Sequence, residues 1–98
     1  MNIQAMMKQA QKLQKDMLDT KKQIDEQTFE INKSYVNVKA KGNKKIESIK
    51  IDIQSLEKDE IEMTEDLILL AINELFETID NETEKKMGKF SQGMPGLF

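Results

Sequence analysis

Apolar residues recur along the first segment at alternating steps of three and four: Ile3, Met6, Ala10, Leu13, Met17, Thr20 and Ile24. That is the a/d rhythm of a helix pressed against another helix. The positions between are mostly Gln, Lys and Asp, Asn2 supplies an N-cap, and no Gly or Pro interrupts residues 3–27. The pattern predicts a helix over about 2–27, some 37 Å long at 1.5 Å per residue.

The period then changes from helical to alternating. Thr28 to Ile31 reads as a short strand. From Tyr35 onward, Val36, Val38 and Ala40 take one face, while Tyr35, Asn37, Lys39 and Lys41 take the other. Gly42-Asn43, flanked by Lys41 and Lys44, is a turn signal between two strand-like runs. The return strand runs from about Ile46 to Ile53, with Ile49, Ile51 and Ile53 on one face and Ser48, Lys50 and Asp52 on the other. The strands thus occupy about 28–53 as an antiparallel arrangement with one apolar and one wet face.

A second long helix is predicted over about 59–87. Asp59 followed by Glu62 looks like a capping box, and Glu60, Glu62 and Glu65 suit the positive end of the helix dipole. Lys85 and Lys86 suit the negative end, Gly88 stands where a C-cap belongs, and residues 88–98 read as a flexible Gly/Pro-containing tail. Leu67 to Ile72 are six consecutive apolar residues, continued by Leu75, Phe76 and Ile79. A helix apolar on every side must be buried on every side, and one hairpin face is too small to surround it. These elements predict an α+β domain of order α-β-β-β-α, two long helices flanking a small antiparallel sheet. They also predict a C2 homodimer whose interface includes Leu67, Ile68, Leu70, Ala71, Ile72 and Leu75.

Composition narrows the chemistry. The 98 residues suffice for one domain, and they contain no arginine, histidine, cysteine or tryptophan. Without Cys or His there is no ordinary zinc site and no Ser-His or Cys-His pair, so the expectation is a protein that is not an enzyme and takes no cofactor or metal. No apolar run approaches a membrane span, and Met1 leads into a polar, amphipathic stretch rather than a signal peptide, which predicts a soluble intracellular protein without a membrane partner. Charge is uneven: residues 1–50 hold 11 Lys and 6 acids, whereas residues 51–98 hold 4 Lys and 12 acids. Such a chain can present one basic face to a polyanion while staying acidic overall. The same asymmetry also fits two halves, or two copies, that pair electrostatically.

Three lysine groups compete as binding sites. Lys8, Lys12 and Lys15 follow at steps of four and three along the outer side of the first helix, with Gln4 and Gln11 close to the same face. Ammonium groups beside amides suit phosphate contacts, and they equally suit a solubilising helix flank. Lys39, Lys41, Lys44 and Lys45 surround the hairpin turn, where lysines also blunt an exposed strand edge. Lys85, Lys86 and Lys89 form the third group, for which dipole pairing is a sufficient account. The acidic group Glu57, Asp59, Glu60 and Glu62 does not have EF-hand spacing and sits where a helix N-terminus wants carboxylates.

Several segments resemble the YbaB/EbfC family of bacterial nucleoid-associated proteins. They are Met6-Met7-Lys8-Gln9-Ala10-Gln11-Lys12-Leu13-Gln14-Lys15-Asp16-Met17, then Val36-Asn37-Val38-Lys39-Ala40-Lys41-Gly42 and Ile49-Lys50-Ile51-Asp52. Glu65-Asp66-Leu67-Ile68-Leu69-Leu70-Ala71-Ile72-Asn73-Glu74 carries the strongest likeness, and Met87-Gly88 with Gly93-Met94-Pro95-Gly96-Leu97-Phe98 closes it. The resemblance spans essentially the whole chain in the family's order. It implies a tweezer-like homodimer that grips double-stranded DNA with helical arms in the bacterial cytoplasm and nucleoid, regulates gene expression, and has no small-molecule substrate. By position, Lys8, Lys12 and Lys15 match the family's basic first helix, with Lys85 and Lys86 at the end of the second. Two departures stand out: Asn32-Lys33-Ser34 is a shortened link before the hairpin, and Leu75 replaces a frequent alanine. Absence of arginine argues for phosphate contact over base reading, because bidentate guanine contacts favour Arg. The alternative reading is a protein-interaction module, prefoldin-like in outline, that holds a partner or client between its helices.

Overall fold

The computed structural model describes residues 2–54 and 56–93, the last three of these by backbone alone. Five elements follow one another: α1 (Ile3–Glu26), β1 (Thr28–Lys33), β2 (Val36–Lys41), β3 (Ile46–Ile51) and α2 (Lys58–Gly93). The three strands form one antiparallel sheet in the order β1-β2-β3. The α-β-β-β-α order expected from the periodicities is therefore the one observed.

Local chemistry explains most of the boundaries. The Asn2 side-chain carbonyl accepts from the Gln4 and Ala5 N–H groups at 3.1 and 3.3 Å, capping α1. The chain leaves α1 at Gln27, whose backbone turns extended and donates back to the Ile24 carbonyl at 3.1 Å. Asn32 and Lys33 are not a linker but the end of β1, which pairs with β2 from Thr28↔Lys41 to Lys33↔Val36. A two-residue loop at Ser34-Tyr35 is therefore enough, and Ser34 takes a φ of 53°, as primed hairpin turns require at their first position.

Gly42 in the next turn is needed for space. Its N–H donates to the Gln27 carbonyl at 2.9 Å, and a Cβ there would lie 1.8 Å from the Ile24 carbonyl oxygen. The hairpin turn is pressed directly on the end of α1. On the other side of β2, Val36 pairs with Ile51 and Val38 with Ile49, then the register shifts so that Ala40 meets Ile46. β3 ends at Ile51, two residues short of the expected limit, and Asp52 N–H donates to the Tyr35 carbonyl at 2.8 Å. Tyr35 itself leaves the wet face on which alternation put it. It packs against the core and shares a 2.8 Å hydrogen bond with the buried Thr64 hydroxyl of α2.

The main core joins Phe29, Val36, Val38 and Ala40 of the sheet to Ala71, Leu75 and Ile79 of α2, a stripe at steps of four. α2 lies across β1 and β2, so the isoleucines of β3 stay exposed. A second, smaller cluster joins Ile24 of α1 to Met87 and Phe90 of α2, with Leu13 and Met17 packed alongside.

Both ends expected for α2 are corrected, the C-terminal one by that second cluster. The helix continues through Gly88 to Gly93, because Met87 and Phe90 are held buried against α1 and outweigh a glycine's modest helix penalty. Residues 88–93 are thus helical, and residues 94–98 of the expected tail lie outside the described residues. At the other end, the Glu57 carbonyl accepts from Glu60 and Ile61 N–H at 2.9 and 3.2 Å, so Glu57 is the cap and Asp59 stands within the first turn.

The chain is a rod, 72 × 19 × 14 Å, with a radius of gyration of 19.6 Å. A compact domain of a hundred residues would have about 13 Å. α1 runs antiparallel to the end of α2: Gln27 accepts from Lys86 Nζ at 3.1 Å, and Leu13 and Met17 flank the Phe90 cluster. Residues 3–12 are exposed on every side. Laid end to end, α2 up to Lys86 and α1 back from Ile24 cover about 74 Å at 1.5 Å per residue, which accounts for the length.

Candidate nucleic-acid interface

The projecting half of α1 carries the candidate site. On a helix, Lys8, Lys12 and Lys15 share one face with Gln4 and Gln11, and the apolar seam lies on the opposite face. All five side chains are exposed. The three lysines spread over about 10 Å of helix axis. Lys22 falls two turns beyond Lys15 and extends the row; continuing the same spacing past Asp19 finds it in the sequence.

The ion pairs separate these lysines from the others. Lys21 pairs with Asp25, Lys33 with Glu74, Lys39 with Glu30, Lys44 with Asp80 and Lys86 with Glu82. Among the described residues, no carboxylate pairs with Lys8, Lys12, Lys15 or Lys22, and no acid occurs in the chain before Asp16. An incoming anion at this tip meets charges that need not be released from an internal partner. The opposite end of the rod has the reverse sign: Glu57, Asp59, Glu60, Glu62, Glu65 and Asp66 surround a single Lys58.

The hairpin lysines are largely engaged inside the fold. Lys41 Nζ donates to the Glu26 carbonyl and the Thr28 hydroxyl at 3.3 and 3.1 Å. Lys44 Nζ stands 2.7 Å from Asp80 and 5.6 Å above the Phe76 ring. Lys86 bridges Glu82 at 3.2 Å and Gln27 at 3.1 Å, where it clips α2 to the end of α1. Lys85 is exposed beside it. Both lie near the α1 terminus, about 18 Å along the axis from Lys15, so the structure does not bring them to the Lys8–Lys15 face.

The six residues expected at a dimer contact divide by their surroundings. Ala71 and Leu75 are fully buried in the chain's own core, and Leu67, Ile68 and Ile72 are half-buried against it. Burial of that side of the apolar run comes from the sheet of the same chain. Leu70 is 56% exposed, beside Lys33 and Glu74 at the β1 flank. Leu69, which the pattern did not single out, is 59% exposed, and helical spacing puts it seven residues before Phe76 on the same flank of α2. Only contact geometry distinguishes Leu69 from Leu70, so their sequence carries no signal for it.

Among the described residues, no group of three or more acidic side chains is placed to hold a metal ion, the Glu57–Glu62 group included. No helix among them is long and apolar enough to cross a membrane.

Comparison with known proteins matches nearly the whole sequence. The model of the YbaB/EbfC DNA-binding family matches residues 1–94. A nucleoid-associated protein of Ligilactobacillus salivarius (strain UCC118) is 39% identical over 99% of this chain and 95% of its own. One from Clostridium novyi (strain NT) is 42% identical, covering 100% and 90%. Another, from Oceanobacillus iheyensis, is 42% identical over 99% and 97%. A lysine-bearing helical arm, a three-stranded sheet and a family match over nearly every residue converge: the chain belongs to the YbaB/EbfC DNA-binding family.

Proposed function

We propose that this protein is a nucleoid-associated protein of the bacterial cytoplasm that grips duplex DNA as a homodimer and so influences gene expression. Lys8, Lys12 and Lys15 contact phosphates, Gln4 and Gln11 add hydrogen bonds, and Lys85 and Lys86 contribute at the base of the arm. The observation that carries this reading is the lysine row on the first half of α1, which has no acid before Asp16, no carboxylate partner and no cover among the described residues. Lysine neutralises phosphate as a point charge, so affinity depends on salt more than on base sequence. Exposure of Leu69, Ile46, Ile49 and Ile51 supports the dimer reading, with Leu70 as a second contact and Leu67, Ile68, Ala71, Ile72 and Leu75 supporting it from behind.

The test is binding to a fluorescent mixed-sequence duplex across a salt series, with sizing in the same buffer. Two arms offering three lysines each give a slope of log K against log salt of about −5. Replacing Lys8, Lys12 and Lys15 by Gln should flatten most of that slope and leave the dimer intact. Unchanged affinity in the folded triple variant removes α1 from the interface. The exposed Ile3, Met6 and Met7 favour one second reading, in which the arms hold a protein client. Suppression of client aggregation that DNA does not compete away would support it.

A further inference from the structure

The rod carries two charged helix faces of opposite sign that one chain cannot bring together. On α2, Asp59, Glu62 and Asp66 follow at steps of three and four, which sets them on one face, and all three are exposed. The buried Thr64 and Ala71 point the other way, into the core. No lysine pairs with these three carboxylates among the described residues. The helix dipole accounts for only part of the row. Its effect fades beyond the first turn, which holds Asp59 and Glu60 but not Glu62 or Asp66. The face also has an apolar component: Ile61, 47% exposed, lines a shallow groove with Lys58, Glu62, Glu65 and Asp66.

The α1 arm holds the matching row. Lys8, Lys12 and Lys15 follow at steps of four and three, and the acids read from Asp66 back to Asp59 repeat those steps. Each row extends over about 10 Å of helix axis. Two antiparallel helices therefore set Lys8 opposite Asp66, Lys12 opposite Glu62 and Lys15 opposite Asp59 in a single register. A parallel arrangement would leave the central pair one residue out of step. Within one chain the contact is out of reach. Asp66 lies about 32 Å along α2 from Met87, and Lys15 a further 14 Å or so beyond Ile24, which packs on Met87.

We propose that this face of α2 receives the α1 arm of a second copy, head to tail and antiparallel, through those three charge pairs. Charge complementarity selects the partner and the matched spacing selects the direction. The two surfaces differ, so the contact is heterologous: each copy in it keeps a free arm or a free acidic face, and association continues. It uses neither Leu69, Leu70 nor the β3 isoleucines, and it is therefore additional to a C2 dimer. It engages the lysines that a polyanion would use, so the two occupants exclude one another. The contact itself does not depend on what else the arm binds.

Sedimentation equilibrium of the full chain tests it. At about 20 mM salt the average mass should rise with concentration past that of a dimer, and at about 0.5 M, where screening is short-ranged, that rise should be lost. Glu62→Lys with Asp66→Lys, both beyond the first turn, should abolish the rise at low salt. Lys8→Glu with Lys12→Glu should do the same. An equimolar mixture of the two double variants should restore it, because each keeps the surface that the other has lost. All four substitutions fall at exposed helical positions, and circular dichroism checks that helicity matches the parent. No rise in the parent chain overturns the proposal. So does a rise that either folded variant retains alone, or a mixture of the folded variants that stays unassociated.

Discussion

The two halves of α1 share one heptad seam and meet different surroundings. From Leu13 to Ile24 the seam goes from half-buried to fully buried against Met87 and Phe90, whereas from Ile3 to Ala10 it is exposed. Periodicity identifies which face of a helix is apolar. It does not say what that face meets, because the partner is set by where a distant element ends. The charges follow the same division. The covered half keeps Lys21 paired with Asp25 and its end clipped by Lys86, while the projecting half before Leu13 has two lysines, Lys8 and Lys12, and no acid. One helix thus serves as anchor at its C-terminal end and as a charged arm at its N-terminal end.

The largest expected effect breaks the anchor. Phe90→Ala removes a nearly fully buried ring from the small cluster and should cost about 3–5 kcal/mol in chemical denaturation. Amide exchange should then rise in residues 13–24 and 88–93 together, making the two halves of α1 alike. Gly42→Ala attacks the same anchor from the hairpin side. A methyl placed 1.8 Å from the Ile24 carbonyl oxygen must push α1 off the turn, at about 3 kcal/mol. A variant as stable as the parent would contradict that close approach.

Smaller changes sharpen the contrast instead. Asn2→Ala removes the acceptor for the Gln4 and Ala5 N–H groups, at a cost of about 1 kcal/mol. Because the projecting half has no anchor among the described residues, this loss should appear as fraying of residues 3–8 by amide exchange, with the thermal midpoint scarcely moved. Gly88→Ala has the opposite sign. Apart from its own helix turn, no atom of the described residues lies within 4 Å of the added methyl, so the substitution should stabilise by about 0.5–1 kcal/mol through helix propensity.

Local signals made much of this fold legible. The seam of α1, the Asn2 cap, the alternation of β2 and the Gly42-Asn43 turn all depend on residues close together in sequence, and each stands where the pattern put it. What the pattern missed depends on remote contacts. Gly88 reads as a helix end by every local rule, yet Met87 and Phe90 find Ile24 some 60 residues earlier and carry α2 onward. Gly42 was recognisable as a turn residue, whereas its closeness to the Ile24 carbonyl required the folded chain. Lys8 and Lys86 look equivalent in sequence; only folding gives Lys86 its Glu82 and Gln27 partners and leaves Lys8 without one. The run from Leu67 to Ile72 signalled burial all round, and within the single chain the sheet buries Ala71 and leaves Leu69 and Leu70 exposed.

The rod's length has a consequence for how its charge is felt. At physiological ionic strength the Debye length is about 8 Å, so the acidic pole of a 72 Å rod is roughly nine screening lengths from the arm's tip. A polyanion arriving at the tip therefore responds to three lysines and not to the net charge of −3. Near 10 mM salt the screening length grows to about 30 Å, and the distant carboxylates begin to oppose the approach. The affinity of the arm for an anionic polymer should consequently level off at the lowest salt instead of climbing along a straight line.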